Sequence, residues 1–549
     1  MTHIQTLQRI NDHSLLAAFS QGFSQALSYG QISQLAGWLR HNITSIKEAV
    51  PAYSQVFIEW DDTLTYIDIS QALNAALKNI QTITQPHATA EAPQPLTVQV
   101  CYHPSVAPDL YNVATTLGLS EQDVIRQHLK ANYQIQAIGF MPGFAYLGGL
   151  PDNLRIPRRA NPRTQVPAGS VAIAENQTAV YPLAAPGGWH LIGCSPAPLG
   201  DPNILESAHK QKENNTLSVG KAVKFEQISL EQFNRIAQQR EQSKPQNHLP
   251  SQSTFTTRNP TSHMTILQTG PLALLQDTGR KQVQHLGVSQ CGSLDNYAYQ
   301  WANKLLGNAP NSPAIEITLG LFKARFNAPT TIAIAGADCH ATLNNRPLHN
   351  WASHRVNTGD TLAFGGARSG ARAYLAVAGG FECATLFDSC AMNPKEHWPQ
   401  TASQLSAKQN VGYRSNSQPP LKMAPWYKQP NYQQELVLRV YPSYQFDQFG
   451  ANEIDKLCSE NYQIHSHSDR MGYRLEGANI HWQHGGISSE PIAFGSVQIP
   501  PSGQPIVLLN DRQTLGGYPK IGCVKAEDCW QLAQRQAGQS VRFEFIEWD

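Results

Sequence analysis

The spacing of apolar residues along the 549-residue chain first predicts an N-terminal region of mixed structure. Within residues 1–130, apolar positions three or four apart mark two amphipathic helices, at Ile32, Leu35 and Leu39 and at Leu73, Leu77 and Ile80. Apolar runs at 54–60 and 96–102 predict strands beside these helices. Residues 1–130 are therefore predicted to form a small α/β domain.

The pattern changes near Gln136, where Gly and Pro interrupt short segments of alternating apolar and polar residues. Such spacing is typical of a β barrel or sandwich rather than a parallel sheet. It predicts one barrel over 131–236 and two more over 264–430 and 431–549. The chain is thus predicted to be mainly β with an α/β N-terminal part. Residues 237–263 are rich in Gln, Ser and Pro, which predicts a linker and two halves that fold alone.

One motif occurs twice. The first copy, VPAGSVAIAENQTAVYPLAAPGGWHLIG, covers residues 166–193, and the second, IPPSGQPIVLLNDRQTLGGYPKIG, covers residues 499–522. Both copies place a Gln-Thr pair after an apolar strand and then continue to Tyr-Pro and Ile-Gly. A repeat of this length predicts two related β units. Turns account for the shared Gly and Pro, but they do not account for the matching Gln-Thr. We therefore predict that this pair lines a ligand site in at least one copy.

Composition narrows the class of protein. Charged residues make up 15% of the chain and the net charge is +1, so no basic field for nucleic acid is expected. No apolar stretch approaches the roughly 20 residues of a membrane span. The N-terminal residues do not resemble a secretory signal, so a cytoplasmic location is expected. None of the nine cysteines belongs to a CxxC motif. We therefore predict that they are buried, reduced thiols, and we predict no metal site.

Several segments resemble a known family. IGFMPGFAYLGGLP (138–151) and NPRTQVPAGSVAI (161–173) resemble the B subunit of 5-oxoprolinase, also called allophanate hydrolase subunit 1 or the sporulation kinase inhibitor family. In the second half, LQDTGR (275–280), SDRMGYRLEG (468–477) and DRQTLGGYPKIG (511–522) resemble the C subunit of that enzyme, the biotin-dependent carboxyltransferase-like family that includes allophanate hydrolase subunit 2. The order of the segments indicates a fusion of the 5-oxoprolinase B and C subunits.

The resemblance implies a fold and a function. It implies cyclophilin-like β barrels in both halves. It also implies the B–C component of an ATP-dependent 5-oxoprolinase, which opens 5-oxo-L-proline to L-glutamate together with a separate protein, the A subunit. ATP with Mg²⁺, a small-molecule substrate and an oligomeric assembly are expected. Because amide resonance protects the lactam, such chemistry needs cations for phosphate charge and donors for the substrate.

Two other functions remain open from the sequence. The first is the carboxyltransferase component of a urea-carboxylase-like biotin enzyme. Lys422-Met423 lacks the preceding Ala-Met of a biotin attachment site, and no such site is predicted. The second is a regulatory inhibitor of a histidine kinase, as an older name of the B-subunit family suggests.

Candidate catalytic residues come from two charged segments of a chain that carries little charge. They are Arg470, Arg474, Glu476, Arg512 and Lys520. Cations beside Gly-rich turns suit phosphate or carboxylate groups. If the two segments face one cleft, these cations would serve the reaction. The alternative is that Arg474 pairs with Glu476 and braces a barrel edge.

Further polar residues are candidates for binding substrate or nucleotide. In the second half they are Asp277, Arg280, Asp295 and Gln513, although Asp277 also suits a plain turn cap. In the first half they are Arg163, Gln177, Gly187 and Gly188. His128 lies on the polar face of a predicted helix, where a surface role is favoured. Cys194 and residues 387–394 depart from the family pattern, which leaves contacts at those positions open.

Overall fold

The computed structural model describes residues 4–19, 27–83, 94–197, 205–206, 217–243, 262–396, 403–414 and 418–548. The central part of the predicted linker, residues 244–261, lies outside this set. Residues 237–243 belong to a helix and His263 begins a strand, so the linker prediction was too long at both ends. The helix extends because Leu230–Ser243 contains neither Gly nor Pro to end it.

The N-terminal region contains four antiparallel strands and two helices; the apolar spacing predicted both helices and the strand at 54–60, but not the other three strands. The strands are β1 (Ile4–Asn11), β2 (Ser14–Phe19), β3 (Ile46–Ala52) and β4 (Gln55–Trp60). The helices are α1 (Tyr29–Asn42) and α2 (Tyr66–Ile83). Ser28 begins α1 with a capping box, in which Ser28 and Gln31 each accept from the other's backbone. Ile32, Leu35 and Leu39 are buried against the sheet, which confirms the predicted helical face.

A first barrel follows. Its strands and the short pieces beside them are β5 (Leu96–Val100), β6 (Tyr133–Ile138), β7 (Ala145–Gly148), β8 (Arg163–Val166), β9 (Ser170–Ala174), β10 (Gln177–Val180), β11 (Ala185–Gly187), β12 (His190–Cys194) and β13 (Ala222–Gln227). The helices are α3 (Leu110–Leu117), α4 (Glu121–Lys130) and α5 (Leu230–Ser243). The ring runs β5-β13-β6-β7-β10-β9-β12 and closes where Cys194 pairs with Cys101 beside β5.

The predicted boundary at residue 130 is not a boundary in the structure. Strand β5 lies before it in sequence but belongs to the first barrel through its parallel pairing with β13. Strand β3 also continues into the barrel, because Ala52 pairs with Ala137 of β6. The N-terminal strands and the barrel therefore share one eleven-stranded sheet.

The next region contains two sheets rather than the single closed barrel predicted over 264–430. One sheet has the order β20-β19-β22-β17-β14-β24 and the other β15-β16-β23-β18-β21. Their strands are β14 (His263–Thr269), β15 (Leu272–Gln276), β16 (Ala314–Thr318), β17 (Phe322–Phe326), β18 (Thr330–Asp338), β19 (Thr342–Leu343), β20 (Arg346–Pro347), β21 (Ala352–Val356), β22 (Thr361–Ala363), β23 (Ser369–Val377) and β24 (Asn410–Gly412). Both sheets contribute to one apolar core, and helix α6 (Asn296–Leu306) packs on the outside of the second sheet.

The last region is a closed barrel with the order β25-β32-β29-β30-β27-β26-β33. Its elements are β25 (Leu436–Pro442), α7 (Ala451–Ser459), β26 (Tyr462–Ile464), β27 (Gly472–Glu476), β28 (Glu490–Pro491), β29 (Ser496–Gln498), β30 (Ile506–Leu508), β31 (Leu515–Gly516), β32 (Lys520–Val524), α8 (Ala526–Leu532) and β33 (Ser540–Phe545). Strands β25 and β33 are parallel, as are β5 and β13. The two barrels therefore share one strand order, which confirms the two related β units predicted from the repeat.

The two halves pack closely, contrary to the expectation that each folds alone. The buried carboxylate of Glu48 on β3 accepts hydrogen bonds from the backbone of Val283 and Gln284, at 3.1 and 3.2 Å. The apolar core of the first barrel also includes Leu286 and Phe387 of the second half. Separating the halves would expose this apolar surface and leave Glu48 without those donors.

Candidate functional site

The two copies of the repeated motif meet where the two barrels contact each other. Leu515, next to the second Gln-Thr pair, inserts into the apolar core of the first barrel beside Phe144, Tyr146 and Trp189. The fit depends on Gly139, since a Cβ there would lie 2.3 Å from Leu515 Cγ. We call this contact region the barrel junction.

A buried polar cluster of the second barrel lies at the barrel junction. The ammonium of Lys520 pairs with the Glu490 carboxylate, and both side chains are almost fully buried. Gln445 joins them by donating to Glu490 at 3.0 Å and by accepting from the Lys520 backbone at 2.7 Å. Burial lowers the pKa of Lys520, and the Glu490 carboxylate opposes that shift. The cluster is thus a desolvated ion pair, in which added charge or a hydrogen bond has a large electrostatic effect.

Several buried polar atoms of the second barrel have no hydrogen-bond partner in the described part of the chain. Gln498 Nε2 and Thr514 Oγ1 are two of them. Gln498 is opposite Lys520 in the strand register, and a Cβ on Gly516 would lie 3.1 Å from its Nε2. Buried polar groups are normally hydrogen-bonded. A Gln amide and a Thr hydroxyl left in this state can donate to a carbonyl or carboxylate of a bound ligand.

The first barrel contributes phenol and amide groups to the barrel junction. Ser489, which directly precedes Glu490, lies beside the phenol of Tyr146. Gln177 donates to the Tyr53 hydroxyl at 3.1 Å and to the side-chain Oε1 of Gln136 at 3.3 Å. Burial raises the pKa of the Tyr53 and Tyr146 phenols, so both remain protonated at neutral pH. Gln177 therefore lies in a satisfied network close to the junction.

The Thr of the first motif copy holds a buried histidine. Thr178 donates to the Ala172 carbonyl at 3.0 Å and lies 3.1 Å from His128 Nε2, while the Tyr102 hydroxyl lies 2.8 Å from Nδ1. The predicted surface role of His128 was wrong, because the side chain is fully buried. Burial lowers its pKa to about 3. A neutral imidazole with both nitrogens bonded is a structural element of this barrel.

Arg470 lies in a buried cluster of ion pairs at the contact between the two β units of the second half. It donates to both oxygens of Asp511, at 2.9 and 3.0 Å, and pairs with Glu316. Its Nη2 also donates to the Gly292 carbonyl at 2.6 Å. Burial alone would lower the pKa of Arg470, but Asp511 and Glu316 outweigh that effect and raise it. Arg470 therefore anchors the loop that begins the second Gln-Thr segment.

The other predicted catalytic cations have different partners. Arg512 is buried, donates to the Ile492 carbonyl at 3.0 Å and lies 3.8 Å from Glu59 of the first half. Arg474 and Glu476 are exposed on β27. Glu476 lies 3.2 Å from His465 rather than in the predicted pair with Arg474. The structure therefore does not bring all the predicted cations to one cleft, since each buried cation requires its own acceptors.

The predicted binding residues of the second half have structural partners. Asp277 accepts from the Gly279 backbone at 2.8 Å, which is the turn-cap alternative, and also from Ser389 and Cys390. The buried Arg280 pairs with Glu396 at 2.8 Å. Asp295 caps helix α6 by accepting from the Ala298 backbone, and burial raises its pKa. Gln513 is half-buried, next to Thr514.

In the first half, Arg163 binds both oxygens of Asp109, at 2.7 and 2.9 Å. Gly187 is required for close packing, because a Cβ there would lie 2.4 Å from the Tyr181 hydroxyl. Gly188 lies against Pro162 with ordinary contacts. Of the predicted set, Lys520 belongs to the barrel junction itself, and Gln177 and Gln513 lie beside it.

The sequence analysis missed Glu490, Gln498 and Gln445. Gln498 directly precedes the second motif copy, and Glu490 adjoins a Pro in an otherwise apolar segment. A polar residue in an apolar strand was the available signal. In the described residues, no group of three or more His, Cys, Asp or Glu side chains could hold a metal ion. No helix there is long and apolar enough to cross a membrane.

The twin barrels define a carboxyltransferase-type protein. The family model for carboxyltransferase domain, subdomain C and D, matches residues 5–209, and the model for subdomain A and B matches residues 286–545. The chain belongs to the family of the 5-oxoprolinase B and C subunits, with a B-like half followed by a C-like half.

Relatives cover both halves. The C subunit of 5-oxoprolinase from Haemophilus influenzae is 34% identical over 289 residues, which are 51% of this chain and 90% of that protein. The B subunit of 5-oxoprolinase from Bacillus subtilis is 28% identical over 240 residues, 42% of this chain and 97% of that protein. The crystal structure of TTHA0988 superposes with a TM-score of 0.80 and 30% identity, covering 97% of this chain and 99% of that one. A urea amidolyase of Lachancea kluyveri is 27% identical over 50% of this chain, but only 16% of that protein is covered.

Proposed function

We propose that this chain is the B–C component of an ATP-dependent 5-oxoprolinase. With a separate protein that resembles the A subunit of that enzyme, called here the A-type partner, it would hydrolyse 5-oxo-L-proline to L-glutamate, while ATP is converted to ADP and phosphate. The observation that carries the proposal is the barrel junction. Its polar cluster belongs to the C-like half. Leu515 and Ser489, which lie next to that cluster, contact residues of the B-like half. A fused chain keeps the two parts of this site together.

The chemistry of the barrel junction suits a small cyclic amide. A lactam acid offers a carbonyl and a carboxylate as acceptors and one N–H as a donor. Gln498 Nε2 and Thr514 Oγ1 are buried, and among the described residues they have no acceptor of their own. Donors that are already desolvated and oriented stabilise developing oxyanion charge more strongly than donors in water. Lys520, paired with Glu490, lies opposite Gln498 in the strand register.

The test is turnover by the two purified components. With the A-type partner and ATP, we expect ADP and glutamate to form in equal amounts, and the chain alone should produce little glutamate. Gln498→Leu should lower turnover about a hundredfold, the effect of losing one oxyanion donor. The melting temperature of this variant should equal that of the parent chain, because the Gln498 amide nitrogen makes no hydrogen bond that the substitution could remove.

Gln463→Leu is the matched control, since Gln463 is exposed on another strand, β26, of the same barrel. It should leave turnover unchanged. Carboxylation of urea by a carboxybiotin donor, without glutamate formation, would show instead that the chain works like the urea amidolyase relative. Full glutamate formation without the partner protein would contradict the proposed division of labour.

A further inference from the structure

A cleft of about 1680 Å³ lies between the two halves. It is bordered by helix α1 and the β1–β2 turn of the first half, and by residues 277–300, Asn510 and α8 of the second half. The buried ion pair of the barrel junction does not line it. None of the functional assignments above uses this space.

The floor of the cleft contains oriented polar atoms without partners. Asn510 donates its amide hydrogens to the carbonyls of Cys291 and Ser293, at 3.0 and 3.2 Å, which turns its Oδ1 away from them. Among the described residues, Asn510 Oδ1, Ser293 Oγ and Glu59 Oε2 accept or donate no hydrogen bond. Ser293 is 2% exposed, and all three residues line the cleft.

These atoms form an acceptor-rich set. The Glu59 carboxylate and the Asn510 carbonyl only accept, and the Ser293 hydroxyl can accept as well. Arg512 lies 3.8 Å from Glu59, which is too far for a direct hydrogen bond. A ligand that binds here must therefore present at least two O–H or N–H donors. A carboxylate that receives ribose hydroxyls is the arrangement found in dinucleotide-binding folds.

The walls of the cleft suit the rest of a nucleotide. Trp530 of α8 lines the cleft near helix α6, and an indole offers a stacking surface for a base. Lys47 and Lys281 also line it, and the backbone of Gln282 donates to the Lys47 carbonyl at 2.9 Å, which brings the two lysine-bearing segments together. Lysine is a common partner of phosphate groups.

We propose that this cleft binds a ribonucleoside phosphate, with the two ribose hydroxyls on Asn510, Ser293 and Glu59. This inference rests on the ATP dependence of the proposed function, and it places the nucleotide in this cleft. Loop residues 510–514 run from this floor to the barrel junction, since Asn510 lines the cleft and Thr514 lies at the junction. The nucleotide site and the lactam site would thus be joined by one short segment.

The test compares ligands that differ only in the predicted contacts. Binding of ADP, 2′,3′-dideoxy-ADP, D-ribose and inorganic pyrophosphate to the full chain is measured by calorimetry. Removing both hydroxyls should weaken ADP binding roughly tenfold or more, the effect of losing one or two hydrogen bonds. Equal affinity for ADP and its dideoxy analogue, or ribose binding as tightly as ADP, would overturn the inference.

Two substitutions test whether Ser293 and Glu59 contact the ribose hydroxyls. Ser293→Ala and Glu59→Gln should weaken ADP binding while changing the affinity for dideoxy-ADP by less than about twofold, the pattern expected of directly coupled groups. Ser293→Ala removes an atom with no hydrogen bond, so its fold should be retained. Asn461→Ala, at an exposed position, is the control and should bind both ligands like the parent chain.

The outcomes separate this inference from the proposed function. If the complex with the A-type partner consumes ATP normally while both variants keep the parent affinity for ADP, the nucleotide site lies elsewhere and only this inference is wrong. If the complex consumes no ATP, the proposed function is wrong. Weakened binding of ADP and dideoxy-ADP by the same factor in both variants would also reject the ribose contact.

Discussion

The two copies of the repeated motif share their Gln-Thr, Tyr-Pro and Ile-Gly pairs but have different surroundings. In the first copy Thr178 is bonded to His128 and to the Ala172 carbonyl, and Tyr181 is 2% exposed. In the second copy Thr514 Oγ1 has no partner among the described residues, and Tyr518 is 45% exposed. One copy thus completes a core, while the other leaves a buried hydroxyl without a partner among the described residues. A repeated motif therefore need not repeat a function.

The segments before the Gln-Thr pairs differ as well. In the first copy, Glu175 precedes the pair and is held by backbone pairing with Ile156, at 2.7 Å. In the second copy, Asp511 precedes the pair and is held by the side chain of Arg470. The first segment is fixed locally, whereas the second depends on a charge from a distant part of the chain.

The largest expected effect tests that dependence. Arg470→Ala leaves Asp511 and Glu316 buried without their cation, so the free energy of unfolding should fall by about 3–5 kcal/mol. Arg474→Ala, at an exposed position in the same segment, should change it by less than about 0.5 kcal/mol. Denaturant unfolding of both variants measures the difference. Equal stability would show that Arg470 does not anchor the second copy.

The next effect concerns the contact between the copies. Leu515→Ala should cost about 2–5 kcal/mol, because it leaves a cavity in the core of the first barrel. Turnover should also fall, because Leu515 would no longer hold the polar cluster against the first barrel. Leu421→Ala is the control, because Leu421 is 55% exposed. If thermal unfolding does not distinguish the two variants, the junction contributes little to stability.

A matched pair of substitutions compares the two Thr residues directly. Thr178→Val removes hydrogen bonds to a buried carbonyl and a buried imidazole, so it should destabilise by about 1–3 kcal/mol. Thr514→Val removes no hydrogen bond and should leave the melting temperature nearly unchanged while lowering turnover. Melting and glutamate formation are measured for both. The reverse pattern would place the site at the first copy.

The last expected effect is a pH dependence that belongs to the first copy. The folded-state pKa of His128 is about 3 and the unfolded value is about 6.5, so its stabilisation is complete above pH 6.5 and is lost as pH falls towards 3. Unfolding free energies between pH 7 and pH 4 should decline less steeply in His128→Phe than in the parent chain. Parallel curves would mean that His128 is not buried as a neutral imidazole.

Much of the fold could be predicted from the sequence. The alternation of apolar residues predicted strands, and the repeat predicted the two barrels that share one strand order. The boundary at residue 130 failed, because pairing of β5 with β13 joins residues 127 positions apart, such as Leu96 and Val223. Local periodicity shows that a strand exists but does not identify its neighbour.

The sequence by itself determined the family, the duplicated barrels and the presence of Lys520 in a charged motif. Only the tertiary structure decided which polar groups are satisfied. Arg470, Arg512 and Lys520 look equivalent along the chain, yet each meets different acceptors once it is buried. A buried charge or hydroxyl is structural or available to a ligand according to the partners that folding brings to it. Those partners come from distant segments, so no local pattern reveals them.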